Sequence, residues 1–159
     1  PGLPTVGSGK TRIDYWVASF QYNAERWSLT AEYMREPVEW QSYLPPTFND
    51  SREAEGYYLQ GTWRTTEAWE VLLRYEAAYL DRHDRDGSRQ SSLSGLPAHL
   101  YFSRIWSLGL TWHITSHMML RGQFDIADGT APLSARENPD PAAMERHWKL
   151  FSLLFSVGF

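Results

Sequence analysis

Phe151-Ser-Leu-Leu-Phe-Ser-Val-Gly-Phe159 sets Phe151, Leu153, Phe155, Val157 and Phe159 on one side of an extended strand and ends on an aromatic ring. Successive side chains of a strand point to opposite faces, so a period of two gives one apolar side. Such a strand suits a sheet with one face against an apolar phase and the other against water. A soluble sandwich alternates in the same way, so the nonapeptide asks for a sheet and leaves its surroundings open. What decides is whether the rest of the chain repeats the pattern.

It does. Period two predicts seven strands, at about 11–23, 26–36, 56–65, 68–80, 100–115, 117–127 and 147–159. In the second, Trp27, Leu29, Ala31 and Tyr33 share one face, and Ser28, Thr30, Glu32 and Glu36 the other. The fourth sets Trp69, Val71, Leu73, Tyr75, Ala77 and Tyr79 against Glu70, Arg74 and Glu76. Its Ala, Leu, Glu and Arg favour helix, but alternation through the whole segment outweighs that propensity.

The composition fits an alternating sheet and excludes several classes. The 159 residues carry a net charge of -4 with scattered basic residues, so no phosphate-tracking stripe asks for nucleic acid. Without cysteine there is no disulfide frame, thiolate metal site or thiol nucleophile. Eight Trp and nine Tyr accompany a negative mean hydropathy, which means many interface-seeking rings and no long apolar run. No stretch approaches the roughly 18 apolar residues of a membrane helix, whereas barrel strands conceal their apolarity in alternation. The chain opens on Pro1-Gly2 without an initiator Met or a signal peptide, as a processed or truncated product would.

Connections alternate in length. Those at 23–26, 65–68 and 115–117 are tight, whereas 37–55, 81–99 and 128–146 are long and rich in Pro, Gly, Ser, Asp and Arg. Short turns at one end and long loops at the other mark an outer-membrane barrel, with the short turns periplasmic. Trp27, Trp69 and Trp112 fall near short turns and Tyr33 and Tyr79 near long loops, where two interfacial aromatic girdles would lie. Single-chain bacterial barrels have even strand numbers, so an odd count ending on the periplasmic side predicts that strands preceding Pro1 are missing. On that reading 1–159 is the C-terminal portion of one transmembrane barrel domain, with 1–10 the end of a surface loop and 147–159 the closing strand. A stand-alone eight-stranded barrel lacking one strand is the smaller alternative.

The chain resembles the C-terminal part of Gram-negative outer-membrane porins, and more loosely the phosphate-selective porin-like group. The hairpin Trp16-Val-Ala-Ser-Phe-Gln-Tyr-Asn-Ala-Glu-Arg-Trp-Ser-Leu-Thr-Ala-Glu-Tyr33 and the strand ending at Phe159 carry the resemblance. It implies an all-β, up-and-down antiparallel transmembrane barrel of about sixteen strands, trimeric, with a constricting loop folded inward. That loop usually belongs to an earlier part of a porin. The resemblance also implies that Phe151, Leu153, Phe155, Val157 and Phe159 are read by the barrel-insertion machinery during biogenesis. Expected partners are outer-membrane lipid and lipopolysaccharide, small hydrophilic solutes and two further copies of the chain.

Transport chemistry is expected on the polar face. Alternation assigns Ser19, Gln21, Glu32, Gln60, Arg64, Glu70, Arg74, Glu76, His113, Arg121, Gln123 and Asp125 to the lumen. Rings of charge set pore selectivity, and arginine's planar fork grips carboxylate or phosphate, so Arg64, Arg74 and Arg121 form a candidate anion ladder. The competing reading is ion pairing that merely satisfies interior groups, within Glu70, Arg74 and Glu76 and between Arg121 and Asp125.

Three other motifs are rejected. Gly7-Ser-Gly-Lys-Thr11 lacks a phosphate loop's first glycine, with Pro4 in that place, and precedes a strand rather than a helix. Asp81-Arg-His-Asp-Arg-Asp-Gly87 has alternating carboxylates but no well-spaced distal Glu for calcium, and two Arg and a His interrupt it. His113, Ser116 and His117 form no outward-facing Ser–His–acid set, so no enzyme is expected. No cofactor is implied. The leading expectation is passive diffusion of small hydrophilic solutes across the outer membrane, with a preference for anions as its candidate refinement. A barrel whose surface loops bind an external partner, and a soluble ligand-binding barrel, remain as alternatives.

Overall fold

Period-two alternation is realised as one antiparallel sheet in the computed structural model, which describes residues 9–43, 48–134 and 136–158. The strands are β1 (Lys10–Ile13), β2 (Trp16–Asn23), β3 (Trp27–Tyr43), β4 (Phe48–Arg64), β5 (Trp69–Tyr79), β6 (Phe102–Thr115), β7 (Met118–Asp128) and β8 (His147–Val157). From β3 to β8 each strand pairs with the next in sequence, the up-and-down order of a barrel wall. Among the described residues no helix is long and apolar enough to cross a membrane.

Eight strands occupy seven positions. β1 and β2 lie end to end along β3, Ile13 opposite Val38 and Trp16 opposite Arg35. The break at Asp14-Tyr15 faces Glu36-Pro37. Proline has no N–H to give a ladder, and among the described residues the one backbone bond across the break runs from Asp14 N to Pro37 O, 3.0 Å. The seven expected strand positions therefore stand, with the first interrupted.

The long connection expected at 37–55 is mostly strand. β3 and β4 run on as a 17-residue pair, Val38 opposite Arg52 and Trp40 opposite Asp50. The connection at 81–99 holds a short helix α1 (Ser88–Ser94), followed by a 3₁₀ turn (Ala98–Tyr101). Of the expected loop end at 1–10, Pro1–Ser8 lie outside the described residues and Lys10 already belongs to β1. Phe159 also lies outside them.

The burial pattern is inverted relative to a soluble sheet. Along β6, Ser103, Ser107 and Thr111 are at most 5% exposed, while their outward neighbours Trp106, Leu108 and Leu110 are 53%, 56% and 47% exposed. The sheet curves so that its polar face is the sheltered one. Water would expel a wall of exposed Trp, Leu and Phe of this extent, so the apolar face is built for an apolar surrounding.

Candidate functional site

Register converts the alternating polar residues into rows that cross the strands. The row nearest the short turns runs Arg64, Glu70, Thr111, Arg121, Leu154. Four residues further along the strands comes Gln60, Arg74, Ser107, Asp125, Leu150. The next, towards the long connections, runs Ser19, Glu32, Tyr58, Glu76, Ile105. The polar face is thus graded, with cations dominating near the short turns and carboxylates near the long connections. About 20 Å of strand, six steps of about 3.3 Å, separates the two ends.

All of the pore-lining candidates lie on this one face. Glu32, Gln60, Arg64, Glu70, Arg74, Glu76, Arg121, Gln123 and Asp125 line it within the rows or between them, and His113, opposite Met119, continues it to the short-turn end. Gln21 faces Thr30 on the same side. Arg74 pairs with Glu76 at 2.5 Å and spreads its guanidinium over the Tyr58 ring, 4.2 Å from the centroid. Ser19 donates to Glu32 at 2.9 Å, and the hydroxyls of Ser28 and Thr62 share a bond of 2.6 Å.

The ion pair expected between Arg121 and Asp125 does not form. Four residues along a strand is about 13 Å, against one helical turn for the same spacing in a helix. Asp125 instead accepts from Gln123 Nε2 at 2.9 Å, and Arg121 makes no ion pair among the described residues. Its Nε is sheltered from solvent without a hydrogen-bond partner there, as is that of Arg74. A shallow cavity of about 210 Å³ opens between Gln60, Arg74, Arg121 and Asp125. Arg64 and Arg121 are thus the cations of the row nearest the short turns that carry no ion pair among the described residues, which suits them to meet an anion.

The opposite face carries two bands of rings. Near the short turns Trp27 faces Trp63, Tyr22 packs on Trp27 at 5.2 Å, and Trp69 stacks on Trp112 with centroids 5.4 Å apart and planes 5° apart. Near the long connections lie Trp16 against Tyr33, 5.5 Å, and Tyr75 against Trp106, 4.7 Å, with Tyr57 and Tyr79 beside them. From Trp69 to Tyr79 is ten steps, about 33 Å of strand, or about 25 Å of depth at a tilt of about 40°, the height of a barrel's apolar band. Sequence reasoning named Trp27, Tyr33, Trp69, Tyr79 and Trp112 but missed Trp16, Trp63 and Trp106. Their position in period-two strands was the available signal. Phe151, Leu153, Phe155 and Val157 lie exposed on the apolar face, Phe151 and Leu153 between the bands, Phe155 level with Trp69 and Trp112, and Val157 beyond them at the short-turn end.

Beyond the upper band the connections are pinned by carboxylates. Glu55, 2% exposed, accepts from the Tyr33 hydroxyl at 2.6 Å, and Arg85 Nη2 lies 2.6 Å from its other oxygen as an ion pair, out of hydrogen-bond alignment. The carboxylates of the 81–87 segment accept backbone N–H groups. Asp84 accepts from the N–H groups of Arg89 (3.1 Å) and Gln90 (2.8 Å) in the first turn of α1, and Asp81 from that of His83. Asp86 is held below the usual carboxylate range, first by the Ser88 backbone N–H. Ser116 and His117 touch at 2.8 Å, but as neighbours on an exposed turn.

A family model described as phosphate-selective porin O and P matches residues 5–145. No curated protein and no solved structure matches the chain.

Proposed function

Because the chain belongs to the phosphate-selective porin O and P family, a family of outer-membrane channels, we propose that it forms part of the wall of a water-filled pore for passive diffusion of small hydrophilic solutes, anions favoured. The observation that carries this reading is the division of one sheet into a sheltered charged face and an exposed apolar face bounded by two bands of rings. A spanning sheet must satisfy its backbone internally, and antiparallel pairing runs along both sides of the inner strands, leaving one edge open at each of the two outermost strand positions. Those edges need partners in lipid. We therefore read the chain as the C-terminal part of a larger barrel, in the bacterial outer membrane, with the short turns periplasmic.

The graded wall suits a selective role. A solute entering at the long-connection end meets Glu32 and Glu76, then the ion-paired Arg74, then the row of Arg64 and Arg121. The anion preference rests on that last row. Leu150 and Leu154, exposed on the same face, offer a surface on which an inward-folded loop would pack. Assembly as a trimer and recognition of the closing strand by the insertion machinery belong to the same reading.

Reversal potentials across a planar bilayer under a salt gradient test it. An anion about 7 Å from a guanidinium in a water-like dielectric gains about 0.6 kcal/mol and a cation loses as much, so each charge removed should lower the anion-to-cation permeability ratio by up to about sevenfold. Arg121→Gln and Arg64→Gln should each move the reversal potential towards the cation limit. Wild-type protein that inserts without conducting would sink the pore reading. Unchanged selectivity in both variants would sink the assignment of the row.

A further inference from the structure

The channel reading uses the polar face and leaves unexplained a cluster of cations on the other face, in register with the upper band of rings. Arg104, Asp128 and His147 are cross-strand neighbours on β6, β7 and β8, at the long-connection end of the apolar side. Arg146 clamps Asp128 through Nε at 2.6 Å and Nη2 at 3.2 Å, and Arg104 Nη1 lies 3.5 Å from the same carboxylate. Both guanidinium groups lie over the Phe102 ring, at 4.8 Å for Arg104 and 5.6 Å for Arg146.

Lys149 is two residues further down β8, opposite Ile126, and so also on the apolar side. It makes no ion pair among the described residues and is exposed. Arg104 and Arg146 thus share one carboxylate, with the His147 ring 3.5 Å from it, and Lys149 adds a charge with no carboxylate of its own among the described residues. The surface below them is apolar and open, with Ile126 51%, Leu108 56% and Phe151 65% exposed. A lysine on a lipid face costs little only near the interface, where its stem lies along the wall and its head reaches up to polar groups.

Excess positive charge directly above an apolar wall is complementary to a molecule that carries anionic oxygens above hydrocarbon chains. Arginine forks and a lysine ammonium are the donors that phosphate oxygens take. The geometry points to Arg104, Arg146 and Lys149 as a docking site, on the membrane-facing side of the rim, for the phosphate headgroup of a lipid in the leaflet at the long-connection end. The site rests on the reading that the sheet spans the outer membrane. It is separate from the Arg64 and Arg121 row, which lies on the other face of the sheet.

Full-length protein extracted from outer membranes in uncharged detergent provides the test. Native mass spectrometry would follow its titration with diphosphoryl lipid A, with the dephosphorylated lipid, and with inorganic phosphate as competitor. A cation near a charged lipid surface contributes roughly a fivefold gain in affinity. Lys149→Gln should therefore weaken binding of the phosphorylated lipid about fivefold, and Arg104→Gln with Lys149→Gln about 25-fold. The dephosphorylated lipid should not distinguish wild type from variants. Lys149→Gln disturbs no ion pair, so its result stands even if the double variant fails to fold. Wild-type affinity in Lys149→Gln and in the folded double variant would overturn the site. Displacement of the lipid by inorganic phosphate at micromolar concentration would overturn the choice of lipid in favour of a free anion. Planar-bilayer conductance of the same preparations should be unchanged, and its absence in wild type would count against the pore and not against the lipid site.

Discussion

Arginine at Leu73 should cost the inserted sheet about 2–4 kcal/mol, whereas arginine at Thr62 should cost only about 1 kcal/mol. Leu73 lies on the apolar face of β5, 53% exposed, opposite Gly61 on one side and Leu108 on the other. It is four steps from Trp69 and six from Tyr79, about 10 Å and 15 Å of depth at a strand tilt of about 40°, hence close to the middle of the band. Thr62 is a near neighbour on the polar face, where a new guanidinium meets water and only the bond to Ser28 is lost. The penalty at Leu73 corresponds to a roughly 30- to 900-fold change in the ratio of inserted to unfolded protein. Folding into lipid vesicles, titrated with urea and read by tryptophan emission and heat-dependent gel mobility, measures the difference directly. For a soluble sheet an exposed leucine would tolerate arginine within about 0.5 kcal/mol. Leu73→Arg indistinguishable from wild type, or no worse than Thr62→Arg, would refute the assignment of the apolar face to lipid.

The connections make two further predictions. Gly129 has φ of 98°, and a Cβ there would run into the Phe102 carbonyl, so Gly129→Ala should destabilise the start of the last long connection by roughly 1–3 kcal/mol. Faster amide exchange over 129–134 in the variant checks this, and unaltered exchange would show that the turn can relax. His99 has its pKa lowered from 6.5, first by burial and then by Arg146, and its Nδ1 lies 3.1 Å from the Thr130 hydroxyl. The unfolded segment then binds the proton more readily than the folded one, so the contribution of this contact is complete above pH 6.5 and declines as pH falls through and below that value. Protease cleavage within the 98–101 and 129–134 segments should increase on acidification from pH 7, and His99→Gln should abolish that dependence.

How much of this was legible in the sequence follows from how many solvents each strand meets. Between the ring bands one face meets an apolar phase and the other water, so Trp27 to Tyr33 and Trp69 to Tyr79 alternate and their faces could be read directly. Residues 37–55 lacked that signal, because Glu39, Asp50 and Glu53 stand in a hairpin that rises beyond the upper band, where both faces meet water and no alternation is imposed. Pro37 strengthened the impression of a loop, although it is accommodated where the ladder of the first strand is already broken. The helix α1 was hidden for a different reason. It has seven residues and depends on Asp84, six positions before Gln90, to satisfy its first N–H groups.

The polar face shows the limit of reading strands one at a time. Alternation identifies which residues share a side, but along a single strand Arg121 and Asp125 look like a balanced pair. In a sheet the near neighbours are across strands, about 4.8 Å apart, whereas residues four apart on one strand are about 13 Å apart. Only register reveals that Arg121 lies level with Arg64 and Glu70 while Asp125 lies level with Arg74. Register depends on turn lengths and on the bulge between His113 and Thr115, and one misplaced step would send every side chain of a strand to the other face. The same reasoning explains the rim. Arg104 is far in sequence from Arg146 and Lys149, and the three look like scattered basic residues, yet the neighbouring ends of β6, β7 and β8 bring them to one corner of the apolar face. A permeability change confined to the Arg64 and Arg121 row, together with a lipid-affinity change confined to Lys149 and Arg104, would separate the two faces functionally as the register separates them in space.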